Sequence, residues 1–292
     1  MSLALPLLPA DRLAPLAAGY ARAGRARLWR GTAAVLALVG AVSLSGWYVE
    51  ADPAKLAANF PRFLDYFTRL ATLENGGGGV WTDPAEWFWG WKHWLALLGD
   101  TLLMAYAGTL FGALGGFCLA VLGARNLVRR AWLRWAVRRV AEFCRTVPEM
   151  VFALLFVIAF GLGPLPGVMA LGIHTLGSLG KQITEVVENI DMKPVDGATA
   201  AGAGWVAMVR FAVLPQVLPG FLSYTLLRFE INVRGAAVLG FVGAGGIGQD
   251  LVEAIRKFYY NDVAALLVII ILTVVLIDTL TGWLRRGLMV AR

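Results

Sequence analysis

Long apolar stretches separated by short charged segments dominate the chain. Residues 31–49 and 101–124 carry no charged side chain, and residues 217–238 and 263–284 are mostly apolar. A helix needs roughly 20 mostly apolar residues to cross a bilayer, so each stretch predicts one membrane span. No alternation of apolar and polar positions typical of strands is evident. The pattern predicts an all-α integral membrane protein.

Residues 150–180 form a further apolar stretch in which His174 is the one titratable group. A single helix over this stretch would be about 46 Å long, but glycines and prolines interrupt it between Gly161 and Gly167. Such a break predicts a tight helical hairpin with two arms. The predicted number of membrane-spanning helices is therefore six.

Between the first two spans, residues 50–93 are predicted to lie outside the membrane. Apolar residues recur there at helical spacing from Leu56 to Leu70, which predicts an amphipathic helix. The glycine run 76–79 predicts a flexible break, and Asp83-Pro84 predicts the start of a second helix. An interfacial belt is favoured over a protein-docking surface for five tryptophans, Trp81, Trp87, Trp89, Trp91 and Trp94.

Composition and charge agree with a membrane protein and assign its sides. The chain is 59% hydrophobic and 15% charged, with a net charge of +7. Its arginines flank the apolar spans instead of lining one soluble face, which argues against nucleic-acid binding. The positive-inside bias makes residues 1–30 and 285–292 cytoplasmic tails. Residues 94–284 would form the core of the protein.

Three features suggest other chemistry but are incomplete. Gly243–Gly248 matches a dinucleotide fingerprint without the strand that it requires, so a tight turn packed against neighbouring helices is favoured. Gly177–Gln182 lacks the first glycine and the Ser/Thr of a phosphate loop. The two histidines and two cysteines, Cys118 and Cys144, have no partners at catalytic or metal-ligand spacing. The chain is not expected to be an enzyme or to bind a cofactor or metal.

Two patterns concern helix packing. Gly108, Gly112 and Gly116 lie four residues apart, which lets helix backbones approach closely within a subunit or across a dimer. Residues 185–215 combine acidic positions with a run of small residues around Asp196 to Gly202. They predict a short helix with a smooth face that could enter a groove of another protein.

This loop resembles the coupling loop of ABC-importer permeases, whose pattern is Glu-Ala-Ala, three residues, Gly, nine residues, then Ile, one residue and Leu-Pro. The spacing is complete here, although Asp196, Gly197 and Ala212 replace the Glu, the first Ala and the Ile of the pattern. The residues that match by type or position are Asp196, Gly197, Ala198, Gly202, Leu214 and Pro215. The resemblance implies a cytoplasmic loop that docks on a separate ATPase subunit.

The resemblance extends over residues 95–284, and its other motifs are similar to those of the phosphonate importer permeases: Arg145–Glu149, Gly161–Pro164, Glu185–Glu188, Arg228–Arg234 and Gly243–Gly248. It implies the methionine/phosphonate type of permease fold in a bacterial inner membrane. The implied partners are two ATPase subunits that bind ATP and magnesium, a second permease copy and an extracytoplasmic substrate-binding protein.

Charged residues inside the fifth apolar stretch are candidates for the substrate pathway. Arg228, Glu230 and Arg234 would be costly in lipid, about 3 kcal/mol each, so they should face partners or water. Glu230 and Arg234 have the spacing of a helical ion pair. Arg228, with Arg145 or Arg234, would attract a phosphorus oxyanion. A phosphite, hypophosphite or methionine importer, and a membrane enzyme or scaffold, remain alternatives.

Overall fold

The computed structural model describes residues 10–73 and 78–290, and within those residues it is an all-helical protein. Three groups of residues with a prediction lie outside the described part: 1–9 of the predicted N-terminal tail, 76 and 77 of the predicted flexible break, and 291 and 292 of the predicted C-terminal tail. The α-helices are α1 (Ala10–Tyr48), α2 (Pro53–Leu70), α3 (Pro84–Trp87), α4 (Trp91–Gly123), α5 (Ala131–Thr146), α6 (Glu149–Phe160), α7 (Pro164–Glu188), α8 (Lys193–Ala200), α9 (Trp205–Met208), α10 (Leu214–Leu239), α11 (Ile247–Lys257) and α12 (Tyr260–Val290).

The chain divides into two units, residues 1–66 and 67–292. The first contains α1 and most of α2. Helix α1 includes an apolar segment, Ala23–Tyr48, that is long enough to cross a membrane. Helix α2 confirms the predicted amphipathic helix, and the Asp52 carboxylate accepts a hydrogen bond from the Ala54 amide at its start.

The second unit is a bundle built around α7, which contacts α4, α5, α6 and α10. The glycines of α4 allow its backbone to pack close to α7. A Cβ atom added at Gly108 would lie 2.8 Å from the Leu171 Cβ, and one added at Gly112 would lie 2.5 Å from the Thr175 Cβ. The glycine spacing in α4 therefore serves packing within one subunit.

The predicted count of six spans is not confirmed. Four segments of the described chain are long and apolar enough to cross a membrane, namely Ala23–Tyr48, Trp91–Gly123, Trp205–Val242 and Tyr260–Leu288. Helices α5 and α6 together could make a fifth span, but they are bent by 87° where they meet. The predicted hairpin forms between α6 and α7. However, α6 has 12 residues and would cover only about 18 Å.

Two features near the bundle ends add detail to the sequence predictions. Residues 131–146, for which no helix was predicted, form α5, in which apolar and charged positions recur at helical spacing. The helix predicted at Asp83-Pro84 does begin there, with the Asp83 carboxylate accepting from the Ala85 and Glu86 amides, but it ends after one turn.

The tryptophans of this region do not form one uniform interfacial belt. Trp81 and Trp89 are exposed, but Trp94 is only 3% exposed and packs against Ile247 and Leu251. The Trp89 indole N–H donates to the Asp262 carboxylate at 2.9 Å. At least two of the five tryptophans therefore hold helices together instead of solely anchoring the surface.

The glycine-rich segment after α10 is a tight turn, as predicted. Gly243, Gly245 and Gly246 have φ values of +81°, +81° and +76°, which side chains disfavour. A Cβ atom at Gly248 would lie 1.8 Å from the Ala237 carbonyl oxygen. The turn thus folds back onto the end of α10, and the Ile247 amide donates to the Thr101 hydroxyl at 2.9 Å.

Candidate functional site

Helix α8, the centre of the predicted coupling loop, is anchored on one side and open on the other. Val195 is 5% exposed and packs with Ile183 and Val213 in an apolar cluster between α4, α7 and α10. Asp196 and Gly197 are exposed. A Cβ atom added at Gly197 would meet nothing within 4 Å. The small residues of this face are therefore not required by packing inside the chain.

The end of α8 and the start of α10 hold the other residues of the motif. Gly202 has φ +80° and ends the turn after α8, where its amide donates to the Thr199 carbonyl at 3.0 Å. Ala198 is half-buried against the apolar cluster. Leu214 and Pro215 begin α10. In this loop Gly202 and Pro215 are exposed, as are Asp196 and Gly197, whereas Ala198 and Leu214 are half-buried.

Gln216 ties the loop to α10 by a reciprocal contact. Its side-chain oxygen accepts from the Asp191 amide at 3.1 Å, and its side-chain nitrogen donates to the Asp191 carbonyl at 3.1 Å. The same nitrogen donates to the Ala212 carbonyl at 2.7 Å. Displacement of the segment before α8 would therefore strain the first turn of α10.

A second set of contacts joins three helices at this end of the bundle. Glu188, in the last turn of α7, accepts from the Arg125 amide at 2.8 Å and from the Arg138 guanidinium at 2.5 Å. Arg138 also donates to the Gly123 carbonyl at 2.9 and 3.0 Å. The ends of α4 and α7 and the middle of α5 are thereby linked, and these links were not predicted.

The charged residues of α10 point to two neighbours. The predicted pair of Glu230 and Arg234 is confirmed at 2.5 Å. Glu230 is also 3.4 Å from Arg285, and Asp278 is 3.7 Å from Arg234. Arg285, in the segment predicted to be a cytoplasmic tail, belongs to α12 and contacts α10. The Glu230 carboxylate, 11% exposed, is therefore held by cations from two helices.

Arg228 lies on another side of α10, half-buried, with Glu149 at the start of α6 as its opposing charge. The Glu149 carboxylate lies 3.7 Å from the His174 imidazole, which contacts the Val147 carbonyl at 3.2 Å. Arg145, in the last turn of α5, is exposed. The acidic group that faces Arg228 is Glu149, which also contacts His174.

A buried polar contact at the centre of the bundle was missed. The Asn232 amide nitrogen donates to the hydroxyls of Thr109 and Thr175, both at 2.8 Å, and all three residues are at most 3% exposed. It joins α4, α7 and α10. The signal for it was a lone asparagine between charged residues of an apolar stretch.

The sequence and the fold both match known transport subunits. Residues 116–289 match the family model described as binding-protein-dependent transport system inner membrane component. The chain is 38% identical over 259 residues to the phosphite transport system permease protein PtxC of Stutzerimonas stutzeri, covering 88% of this chain and 90% of that protein. It is 52% identical over 118 residues to PhnE2 of Escherichia coli K12, a permease protein named for a cryptic phosphonate transport system, covering 40% of this chain and 97% of that one.

A solved structure of the methionine ABC transporter MetNI in an inward-facing conformation supports the fold. The matched chain superimposes with a TM-score of 0.58 at 20% identity, covering 67% of this chain and 95% of that chain. The relatives are transport subunits, which confirms the prediction that this chain is not itself an enzyme. The chain belongs to the family of binding-protein-dependent transport system inner membrane components.

Proposed function

We propose that this chain is the membrane subunit of an ATP-driven importer for phosphite, phosphonate or a related phosphorus oxyanion. Two separate ATPase subunits would bind ATP and magnesium, and a binding protein outside the membrane would deliver the substrate. Two copies of the chain would enclose the pathway, which opens alternately to either side. The relatives named for phosphite and phosphonate transport support this substrate class.

The observation that carries the coupling proposal is the open face of α8. A glycine inside a helix costs about 1 kcal/mol relative to alanine, and Gly197 has no neighbour that would exclude a side chain. The lack of a side chain at Gly197 therefore fits a site where the surface of another protein comes close to α8. The buried Val195 and the Gln216–Asp191 contact support the loop from behind, so force on α8 would pass into α10.

Co-purification of the ATPase subunit tests this proposal. Gly197→Leu should leave the membrane subunit folded, because the site is open, but should abolish retention of the ATPase and substrate-stimulated ATP hydrolysis. Gly99→Leu is a matched control, since a Cβ at Gly99 also meets nothing within 4 Å. It should retain both properties. Normal ATPase retention by Gly197→Leu would refute docking through this face.

For the substrate, we propose that Arg228 supplies the positive potential of the pathway, with Glu149 as its resting counter-charge. Arg234, whose side chain is 50% exposed, lines a cleft with Glu149, Ile231 and Gly235. A guanidinium matches the oxygens of a phosphorus oxyanion. Since Glu149 already offsets this charge, attraction would be weak enough for release.

Uptake of phosphite, phosphonate, phosphate and methionine by vesicles containing the assembled transporter tests the substrate class. Arg228→Gln should lower oxyanion uptake while ATPase assembly is retained. Arg256→Gln is the control: it removes an exposed arginine of α11, and uptake by this variant should be normal. Unchanged uptake by Arg228→Gln would remove this role for Arg228. Uptake of methionine and of none of the oxyanions would instead favour the methionine-type alternative.

We also propose that α7 crosses most of the membrane inside the bundle, and that both chain termini are cytoplasmic. Helix α7 has 25 residues, of which 13 are buried, so it can traverse the membrane without facing lipid. Cysteines placed at positions 79 and 200, after replacement of Cys118 and Cys144, would report sidedness. Position 79 should react with an impermeant reagent outside, and position 200 only after permeabilisation.

A further inference from the structure

Helix α5 presents an aromatic face for which the bundle offers no cover. Trp132 and Trp135 are each 66% exposed, Phe143 is 63% exposed and Val140 is 50% exposed. The other side of α5 packs against α7 through Ala141 and Cys144, which are 5% and 8% exposed. Arg139, one turn from Trp135 and Phe143, is also exposed. The outward face of α5 therefore combines large apolar groups with charge.

The contacts of α5 place its first turns at the end of the bundle. Arg138 contacts Gly123, the last residue of the apolar segment Trp91–Gly123, and Glu188, in the last turn of α7. Further along α5, Ala141 and Cys144 lie against Gly177, at the middle of α7. Helix α5 therefore runs from the end of the bundle along α7, and its first turn begins where the apolar segment ends. Lipid headgroups border the ends of apolar spans, and indole rings are favoured at that depth.

The charges around α5 have one dominant sign. Between positions 125 and 145 there is a single carboxylate, Glu142, and it pairs with Arg139 at 2.6 Å. The side chains of Arg129 and Arg130 are exposed and make no hydrogen bond or ion pair in the described part of the chain. The arginines of this stretch are Arg125, Arg129, Arg130, Arg134, Arg138, Arg139 and Arg145. The surface fits an anionic partner.

We propose that α5 and the segment before it form a binding site for anionic phospholipid. Trp132, Trp135 and Phe143 insert beside the acyl chains, and Arg129 and Arg130 bind the headgroup phosphate. The combination of exposed indoles and unpaired arginines distinguishes this face from a purely apolar contact with another helix, where charged groups are depleted. The proposal does not depend on the transported substrate.

Lipid selectivity of the full-length chain tests the site. Native mass spectrometry of the detergent-purified protein, titrated with phosphatidylglycerol or phosphatidylcholine, should show preferential retention of phosphatidylglycerol. Arg129→Gln with Arg130→Gln should weaken this binding about fivefold for each arginine removed. Arg256→Gln with Lys257→Gln removes the same charge from α11 and should leave it unchanged. Equal retention of both lipids, or equal loss in both double variants, would overturn the proposal.

A photo-crosslinking amino acid in place of Trp135 separates lipid from protein as the occupant. In the assembled transporter within phosphatidylglycerol-containing membranes, the crosslinker should form a lipid adduct on this chain. A dominant adduct with an ATPase subunit or with a second copy of the chain would overturn the assignment, because the face would then be a protein interface.

Discussion

Replacement of Gly112 by alanine tests the close contact between α4 and α7. The added Cβ atom would lie 2.5 Å from the Thr175 Cβ and 2.8 Å from the Gly172 carbonyl oxygen, whereas ordinary contacts begin at 3.4 Å. Both neighbours belong to α7 and neither is the flexible end of a side chain. The two helices would therefore have to separate or rotate.

The expected cost follows from two contributions. Overpacking of a tight interface costs about 1–3 kcal/mol. Movement of Thr175 would also weaken the hydrogen bond from Asn232, which contributes about 1 kcal/mol. A total of about 2–4 kcal/mol would lower the melting temperature of a unit of this size by roughly 4–16 °C.

Thermal unfolding of the purified protein in detergent measures this effect, with Gly99→Ala as the matched control on the same helix. Because a Cβ at Gly99 meets nothing within 4 Å, that substitution should leave stability unchanged or raise it by up to about 1 kcal/mol. If Gly112→Ala were as stable as Gly99→Ala, the close α4–α7 contact would be wrong.

Three further substitutions test other contacts by the same thermal assay. Glu230→Gln leaves Arg285 without its carboxylate and Arg234 with Asp278 alone, and should cost about 1.5–3 kcal/mol, whereas Glu253→Gln, in an exposed pair on α11, should change little; equal effects would argue against a partly buried network. Asn232→Val removes the donor to two buried hydroxyls and should cost about 1–3 kcal/mol, so full stability would contradict that contact. Gly202→Ala forces a side chain into a positive φ and should cost about 1 kcal/mol; no cost would show that the turn relaxes.

Features with a local signal were predictable from the sequence. The glycines of α4, the turn at Gly243–Gly248 and the small residues of α8 each have a spacing or composition that specifies one local geometry. The Glu230–Arg234 pair was also local, since its members are one helical turn apart. In each case the interacting groups, or the residues that permit the contact, lie within a few positions of each other.

Contacts between distant helices were not predictable in the same way. Arg285 reaches Glu230 from 55 positions away, and Thr109 reaches Asn232 from 123 positions away. Nothing in either local pattern specifies the partner. The count of six spans is not confirmed for a related reason. Hydropathy describes how a helix meets lipid, whereas α7 is surrounded largely by protein, so packing contributes to its composition.

The contacts of α10 explain how one helix could serve both ends of the protein. Gln216 joins its first turn to the segment before α8, and Asn232 fixes its middle to α4 and α7. At its far end, Gly248 of α11 lies against the Ala237 carbonyl of α10 so closely that a side chain there would clash. With 26 residues, α10 is about 39 Å long. Hydrogen bonds and close packing therefore tie α10 to the segment before α8 and to α4 and α7, so that under the proposed coupling these helices would have to move together.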